Sequence, residues 1–244
     1  MDPPLTVCVV IPTYNERENV EAIVEAIEGT RLASVRVLFV DDASPDGTGE
    51  LVKSVAGSRP WVSLLQREKK MGIGSAYQDG FKAAIAGTDA GVLIEIDADL
   101  QHPASAIPLL VDAIRNGADV AVGSRYVPGG GISGWSRVRR IVSKGANSYA
   151  RFMLGLKVRD ATSGLRAYTR ETARAVADAR LPAKGFEFQV AALHLLKDRA
   201  KIVEVPYVFT TRAAGKSKLS LGDMARFFFS VARISIFGSS EKRP

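Results

Sequence analysis

The chain has 244 residues, of which 46% are hydrophobic and 24% charged, a balance that predicts a folded globular protein and excludes a disordered one. A single cysteine excludes an internal disulfide framework, and two histidines exclude a histidine-rich metal site. The formal net charge of +7 favours anionic partners such as nucleic acid, acidic lipid headgroups or substrate phosphates.

The amino-terminal segment has no basic start, and its apolar run contains Pro12, so we expect no signal peptide. No stretch approaches the roughly 18 uncharged apolar residues that span a bilayer. The sequence therefore predicts a cytoplasmic protein, or one bound peripherally to the cytosolic face of a membrane.

The first half of the chain alternates apolar runs with amphipathic ones. Strands are predicted at Thr6–Pro12, Val35–Asp41, Val62–Arg67, Gly91–Asp97 and Asp119–Ser124. Helices are predicted near Glu16–Glu28, Thr48–Val55, Ser75–Ala86 and Ala104–Asn116. The strands are almost continuously apolar, which indicates a parallel sheet covered on both faces, and the alternation predicts a doubly wound α/β domain.

The second half begins with the glycine-rich loop "GSRYVPGGGISGW", followed by a predicted helix over 138–154. The runs "SGLRAY" and "KIVEVPYVFTTR" are predicted strands, with a helix near Phe188–Arg199 between them. Basic residues without any acid occupy 134–151, and they also dominate 212–244.

The last predicted helix, Leu219–Phe237, is amphipathic. Its apolar surface is interrupted by a narrow polar stripe, made of Asp223, Arg226, Ser230 and Arg233. Such a helix lies in a membrane interface or packs on its own domain, and the pattern leaves both interpretations open.

Polar clusters follow three predicted strands: "PTYNE", "DDASPDGT" and "DADLQ". Doubly wound sheets bind ligands at this edge. If the fourth strand continues, Asp97 and Asp99 point the same way and offer the hard oxygen ligands that Mg²⁺ or Mn²⁺ prefers, beside Asp41 and Asp42. The sequence has no G-x-G-x-x-G motif after the first strand, as dinucleotide sites have, and no G-x-x-x-x-G-K-[ST] motif, as P-loop sites have. We therefore expect a metal and basic side chains to bind the diphosphate of a nucleotide leaving group.

The blocks "VVIPTYNE", "VDDASPDGT", "GIGSAYQDGF", "IDADLQHP", "VGSRYVPGG", "ATSGLRAY" and "FTTRAAGKSK" resemble, in order, the family 2 glycosyltransferases with the GT-A fold. Among these, the chain is most similar to the dolichol-phosphate (polyprenol-phosphate) mannose synthases, over residues 5–225. The resemblance implies a mostly parallel α/β sheet of the GT-A (Rossmann-like) kind with flanking helices over 1–218. An amphipathic, membrane-interfacial helix and a basic tail are expected over 219–244.

The same resemblance implies metal-dependent transfer of mannose from GDP-mannose to the phosphate of a polyprenol, with inversion, at the cytosolic membrane face. Expected partners are the polyprenol phosphate, the membrane surface and a small membrane-anchoring subunit, and not nucleic acid. One alternative is a polyprenol-phosphate glucosyltransferase that uses UDP-glucose, because no pattern here identifies the base. A non-catalytic binder of anionic lipid or nucleic acid is a further alternative, but it leaves the clustered acids without a role.

The resemblance also assigns residues to sites. The nucleotide pocket is expected to include Pro12, Tyr14, Glu16, Val40 and Asp42. The diphosphate segment is expected at Asp97, Ala98, Asp99 and Gln101, with Asp97, Asp99 and Gln101 as the metal ligands. Donor phosphates are expected to contact Arg125, Lys184, Arg212 and Lys218. The acceptor phosphate is expected at Arg125, Arg139 and Ser143, and the expected catalytic residues are Asp99, Arg125, Arg212 and Lys218.

Overall fold

The computed structural model describes residues 5–181, 185, 187–211 and 221–238. The strands are β1 (Val7–Thr13), β2 (Val35–Asp41), β3 (Val62–Gln66), β4 (Val92–Glu95), β5 (Val120–Ser124), β6 (Gly131–Ile132), β7 (Arg166–Thr169), β8 (Ile202–Pro206) and β9 (Val208–Phe209). The helices are α1 (Val20–Glu28), α2 (Thr48–Ser58), α3 (Ile73–Gly87), α4 (Ile107–Arg115), α5 (Arg137–Leu154), α6 (Arg170–Asp178), α7 (Glu187–Leu196) and α8 (Leu221–Phe237).

A seven-stranded sheet of order β3-β2-β1-β4-β7-β5-β8 forms the centre of the molecule. Strand β7 runs antiparallel to β4 and β5, whereas the other pairs are parallel. This confirms the mostly parallel α/β sheet predicted from the sequence. The order reverses between β1 and β4, so their carboxyl ends border a crevice of the kind in which such sheets bind ligands.

Two hydrophobic cores cover the two faces of the sheet. Because side chains alternate along a strand, Val7, Val9 and Ile11 enter one core while Cys8 and Val10 enter the other. Helices α1 and α4 pack in the first core, and α3, α6, α7 and α8 contribute to the second. Both faces are therefore buried, as the continuous apolar strands predict.

Three features differ from the sequence prediction. The fourth strand ends at Glu95 rather than Asp97. Helix α6 was not predicted; it begins at Arg170, and the side chain of the preceding Thr169 caps it by accepting a hydrogen bond from the backbone N–H of Thr172. The prediction of one strand over "KIVEVPYVFTTR" is wrong, because β8 stops at Pro206 and β9 pairs with β6 in a second, two-stranded sheet.

Helix α8 packs against α5 and α7 and also keeps apolar side chains in solvent. Phe227, Val231 and Ile234 are buried in the core shared with α5. The Tyr149 hydroxyl on α5 donates to the Phe228 carbonyl, and the two rings lie edge to face at 4.9 Å. Exposed apolar side chains remain at Val138, Ile141, Val142 and Phe152 of α5 and at Phe228, Phe229, Ile236 and Phe237 of α8. Among the described helices, none has the length and hydropathy needed to cross a bilayer.

Helix α3 approaches α7 closely because residue 74 is a glycine. A Cβ built on Gly74 would lie 2.8 Å from ring atoms of Phe188. The Phe188 ring stacks on Tyr77, one turn further along α3, with a centroid separation of 6.0 Å and an interplanar angle of 12°. A side chain at position 74 would therefore push these two helices apart.

We expect Gly74→Ala to lower the free energy of unfolding by about 1–3 kcal/mol, the usual cost of overfilling a packed core. The matched control is Gly87→Ala in the same helix, where an added Cβ meets nothing within 4 Å. There the higher helix propensity of alanine should leave the protein unchanged or slightly more stable. Urea unfolding checks both variants, and equal midpoints would contradict the close packing of α3 on α7.

Candidate active site

Three loops meet the carboxyl edge of the sheet, after β1, β2 and β4, and each contains a non-glycine residue with left-handed backbone. These residues are Asn15 (φ 57°), Ala43 (φ 55°) and Leu100 (φ 60°). Such conformations cost free energy and persist where the surrounding contacts impose them. The sharp turns they create keep the polar side chains of all three loops at the sheet edge.

Asp41, the last residue of β2, is fully buried and joins the ends of β1 and β3 to the loop after β2. Its carboxylate accepts hydrogen bonds from the Thr13 hydroxyl (2.9 Å), the Ser44 N–H and hydroxyl, and the Gln66 amide (2.8 Å). A carboxylate buried without such donors would be strongly destabilising. Asp41 is therefore part of the framework of the site.

Asp42, expected in the nucleotide pocket, organises the entry to α3. One oxygen accepts from the N–H groups of Met71 (3.2 Å) and Gly72 (3.0 Å). The other lies 3.0 Å from Nη1 of Arg67, and both side chains are buried. The segment that Asp42 holds also places the Lys70 ammonium 3.6 Å from the centre of the Tyr14 ring.

The other nucleotide-pocket residues divide between crevice and core. Pro12, Tyr14 and Glu16 are partly exposed at the end of β1, where a ligand can contact them. Glu16 also accepts a hydrogen bond from the Asn19 amide and donates its N–H to the Thr48 hydroxyl. Val40 is wholly buried in the core, between β1 and β3, and its place in the nucleotide pocket stays a prediction.

Asp97 and Asp99 lie in a turn beyond β4. The strand ends at Glu95 and Leu100 adopts left-handed backbone, so the longer strand on which their common direction depended does not form. Asp99 is buried, and its carboxylate accepts the N–H of Gln101 (3.1 Å). The Gln101 amide donates to the Thr210 carbonyl (3.2 Å), which ties this turn to the segment after β9. Ala98, between the two acids, is buried.

Asp97 is the more accessible of the two acids, with 31% of its side chain exposed. One oxygen accepts the Tyr77 hydroxyl (3.2 Å), and the other lies 3.5 Å from Nδ1 of His102. Burial, followed by the charge of Arg125, lowers the pKa of His102 to about 3, so its imidazole is neutral at physiological pH. His102 thus lies directly behind the acidic turn, without a charge of its own.

The acidic turn has the donor chemistry of a Mg²⁺ or Mn²⁺ site that the ligand completes. Two carboxylates and one amide supply hard oxygen atoms, at Asp97, Asp99 and Gln101. Across the described residues, no group of three or more His, Cys, Asp or Glu is placed to hold a metal ion. Such a sparse set fits an ion that takes its remaining ligands from water and substrate phosphates.

Arg125, directly after β5, is held by a buried ion pair. Its Nε and Nη2 atoms donate to the two oxygens of Asp160 at 2.7 and 2.6 Å, and Nη2 also donates to the Thr162 hydroxyl. Burial alone would lower the pKa of Arg125, but the hydrogen bonds and charge of Asp160 outweigh it and raise the pKa above its ordinary value. The guanidinium is therefore permanently charged, with Asp160 as its counterion.

The residues expected at the acceptor phosphate lie close to Arg125. The guanidinium carbons of Arg139 and Arg125 lie 4.0 and 5.6 Å from the centre of the Trp135 ring. Ser143 accepts a hydrogen bond from the Tyr126 hydroxyl (2.8 Å). The structure thus brings together all three residues predicted for this site.

A basic cavity of about 340 Å³ opens beside this cluster. It is lined by Arg125, Tyr126, Val127, Gly130, Gly131, Ile132, Arg140 and Lys144. Its charged groups come from the end of β5 and from the face of α5 that follows the glycine-rich loop. Such a lining favours an anionic ligand.

Three predicted site residues, Lys184, Arg212 and Lys218, lie outside the described residues, and their assignment stays a prediction. Four other residues act in the site but received no role from the sequence: Tyr77, Arg67, Trp135 and Asp160. Asp160 had an indirect signal, since a buried arginine such as Arg125 requires a buried acid. Tyr77 and Trp135 lie in "GIGSAYQDGF" and "GSRYVPGGGISGW", where no local pattern marks either as a site residue.

The fold and these loops have known counterparts. A family model described as "Glycosyl transferase family 2" matches residues 8–176. The chain is 41% identical to the polyprenol monophosphomannose synthase of Mycolicibacterium smegmatis, over 96% of this chain and 88% of that protein. It is 39% identical to the undecaprenyl-phosphate mannosyltransferase of Micrococcus luteus, over 94% of this chain and 93% of that protein.

Among solved structures, the chain resembles glucosyl-3-phosphoglycerate synthase from Mycobacterium tuberculosis, crystallised with Mn²⁺, UDP-glucose and phosphoglyceric acid. The TM-score is 0.68 at 22% identity, and the match covers 95% of this chain and 79% of that one. At this level of identity the likeness concerns the fold.

We expect Asp160→Asn to lower the free energy of unfolding by about 3–5 kcal/mol, because it leaves the buried Arg125 charge without a counterion. The control is Asp112→Asn, which removes the exposed pair with Arg115 and should cost less than about 0.5 kcal/mol. Urea unfolding measures both changes. An equal, small effect in the two variants would show that Asp160 does not hold Arg125.

Proposed function

We propose that this chain, which belongs to glycosyl transferase family 2 and has the expected GT-A fold, transfers mannose from GDP-mannose to the phosphate of a polyprenol. The transfer is proposed to invert the anomeric carbon. One observation carries this proposal: an acidic turn suited to a metal-bound diphosphate lies at the same sheet edge as an arginine cluster suited to a second phosphate. The names of the two relatives, both mannosyl transferases to polyprenyl phosphates, support the acceptor and the sugar.

At the donor, the turn from Asp97 to Gln101 would hold Mg²⁺ or Mn²⁺ with the diphosphate. When bound, the ion neutralises negative charge that develops on the departing nucleoside diphosphate. Pro12, Tyr14 and Glu16 border the crevice in which the nucleotide would lie. Lys184, Arg212 and Lys218 are proposed to add positive charge at the leaving phosphates.

At the acceptor, the phosphate would lie between Arg139 and Ser143, with Arg125 behind it. A phosphate monoester is already ionised near pH 7, so it attacks the sugar without first losing a proton to a strong base. His102 suits this scheme, since burial lowers its pKa to about 3 and makes its neutral ring a weak base. Attack from the acceptor side, opposite the diphosphate, gives inversion.

The acceptor's long hydrocarbon tail requires a membrane-facing surface. We propose the α5–α8 surface, defined by the exposed apolar side chains Val138, Ile141, Val142 and Phe152 of α5 and Phe228, Phe229, Ile236 and Phe237 of α8. Basic side chains flank it at Arg137, Arg139, Arg140, Lys144 and Arg151, with no acid in 134–151. Apolar side chains bordered by positive charge bind anionic membrane surfaces. A small membrane-embedded subunit docked on this surface would serve the same purpose.

We expect calorimetry to detect GDP-mannose binding that weakens when Mn²⁺ is omitted. In Asp99→Ala the affinity should fall more than about 100-fold, because loss of a residue that only supports a metal ligand already lowers metal affinity about 10–100-fold. The matched control is Asp89→Ala, an exposed acid beyond the opposite end of β4, which should bind as the wild type does. Transfer of labelled mannose to polyprenyl phosphate in detergent then tests the reaction itself.

Stronger binding of UDP-glucose in the same titration would replace mannose by glucose and keep the site. If neither nucleotide sugar binds the folded protein with Mn²⁺ present, the donor site is wrong. The remaining function would then be the binding of anionic lipids.

We expect Phe152→Asp to reduce sedimentation with phosphatidylglycerol vesicles by about tenfold or more, since burial of a phenylalanine side chain contributes roughly 1.5–3 kcal/mol. Phe152 is 86% exposed on α5. Leu109→Asp is the control, because Leu109 is 51% exposed on α4, which packs on the opposite face of the sheet. Equal losses, or none, in the two variants would exclude the α5–α8 surface as the membrane contact.

A further inference from the structure

Tyr77 reaches the acidic turn from α3, an element outside the three strand-end loops. It is wholly buried, and its hydroxyl donates to Oδ1 of Asp97 at 3.2 Å. A phenol keeps its proton near pH 7, so this hydroxyl is the donor of the hydrogen bond.

The position of the Tyr77 ring is determined by packing on both sides. Phe188 of α7 stacks on it at 6.0 Å, and Phe81 lies one turn along α3 at 6.4 Å. Gly74 permits this close approach of α7. The start of α3 is fixed as well, since Gly72 donates its N–H to Asp42. The phenolic oxygen thus has a defined place relative to both acidic loops.

The other side of the Asp97 carboxylate is also enclosed. Oδ2 lies 3.5 Å from Nδ1 of His102. It would lie 3.1 Å from a Cβ placed on Gly164, so a larger residue there would crowd it. With Tyr77 on one oxygen and His102 beside the other, rotation of this carboxylate is restricted, although 31% of the side chain still faces solvent.

We propose that Tyr77 is a positioning residue for the metal and diphosphate site, and that its hydroxyl sets the orientation in which Asp97 receives the ion. This inference rests on the proposed function. The hydroxyl acts through Asp97 and touches neither substrate nor metal. Partners of this kind orient the ligand before the metal binds, and their loss typically lowers metal affinity about 10–100-fold.

The test is Mn²⁺ binding in the presence of GDP, measured by the electron paramagnetic resonance signal of free Mn²⁺. Tyr77→Phe keeps the ring and its stacking on Phe188 and removes only the hydroxyl, and we expect it to raise the Mn²⁺ dissociation constant about tenfold. In an Asp97→Asn background, the same substitution should have no further effect, because the carboxylate through which it acts is gone.

The matched control is Tyr168→Phe, which also removes a buried hydroxyl. That hydroxyl accepts a hydrogen bond from Nη1 of Arg166 at 3.4 Å and also interacts with Glu95. The control is expected to lose thermal stability while its Mn²⁺ dissociation constant stays within about twofold of the wild type. A change in Mn²⁺ affinity specific to Tyr77→Phe then separates positioning from a general loss of stability.

The outcomes distinguish this inference from the function on which it rests. If the wild type binds Mn²⁺ with GDP and Tyr77→Phe binds equally well, the positioning role is wrong and the proposed function stands. An effect of Tyr77→Phe that persists undiminished in Asp97→Asn also overturns it. If the wild type itself binds no Mn²⁺ with GDP, the metal-dependent function fails and the inference fails with it.

Discussion

The site is shaped by the cost of placing carboxylates at the edge of a sheet that is covered on both faces. A carboxylate there loses much of its water, and the protein must supply hydrogen-bond donors or a positive charge in its place. Asp41 receives donors from the ends of β1 and β3 and from the loop after β2, Asp42 receives an arginine and two N–H groups, and Asp160 receives Arg125. Asp97 is the exception, with part of its surface left to the crevice. The need to supply each carboxylate with donors or a positive charge fixes the position of the chain segment that supplies them.

This requirement also divides the arginines into two groups. Arg67 and Arg125 neutralise buried acids, so their charge is largely compensated within the fold. Arg139 instead packs over Trp135 at the border of the solvent, where its charge can act on a ligand. Among the described residues on this side of the crevice, positive charge is therefore supplied by α5 and by the basic residues around it. The proposed acceptor phosphate would be attracted to this side and kept apart from the acidic turn.

Helix α5 contributes both to the proposed phosphate site and to the apolar surface that a lipid phosphate acceptor would need. Its residues Arg139 and Ser143 lie near the crevice, while Val138, Ile141 and Phe152 project into solvent. Because positions on one helix are close in space, the proposed headgroup site and the apolar surface are separated by little more than the width of the helix. Helix α8 enlarges the surface and is packed on α5 through Tyr149. Packing of α8 on its own domain and contact of α8 with a membrane interface are thus compatible, since one face of the helix is packed and another remains exposed.

The sequence by itself determined the α/β fold, most boundaries of the first half and the loops that form the site. These properties depend on local periodicity, on strand ends and on motifs that are contiguous in the chain. The end of β4 and the division into β8 and β9 were decided by tertiary structure, because a left-handed turn at Leu100 and pairing with β6 have no local signature. Helix α6, in contrast, carries a local signal in its Thr169 cap. The partners Asp160 for Arg125 and Tyr77 for Asp97 also required the folded chain. They are separated by 35 and 20 residues, and only packing of distant elements brings such groups within hydrogen-bonding distance.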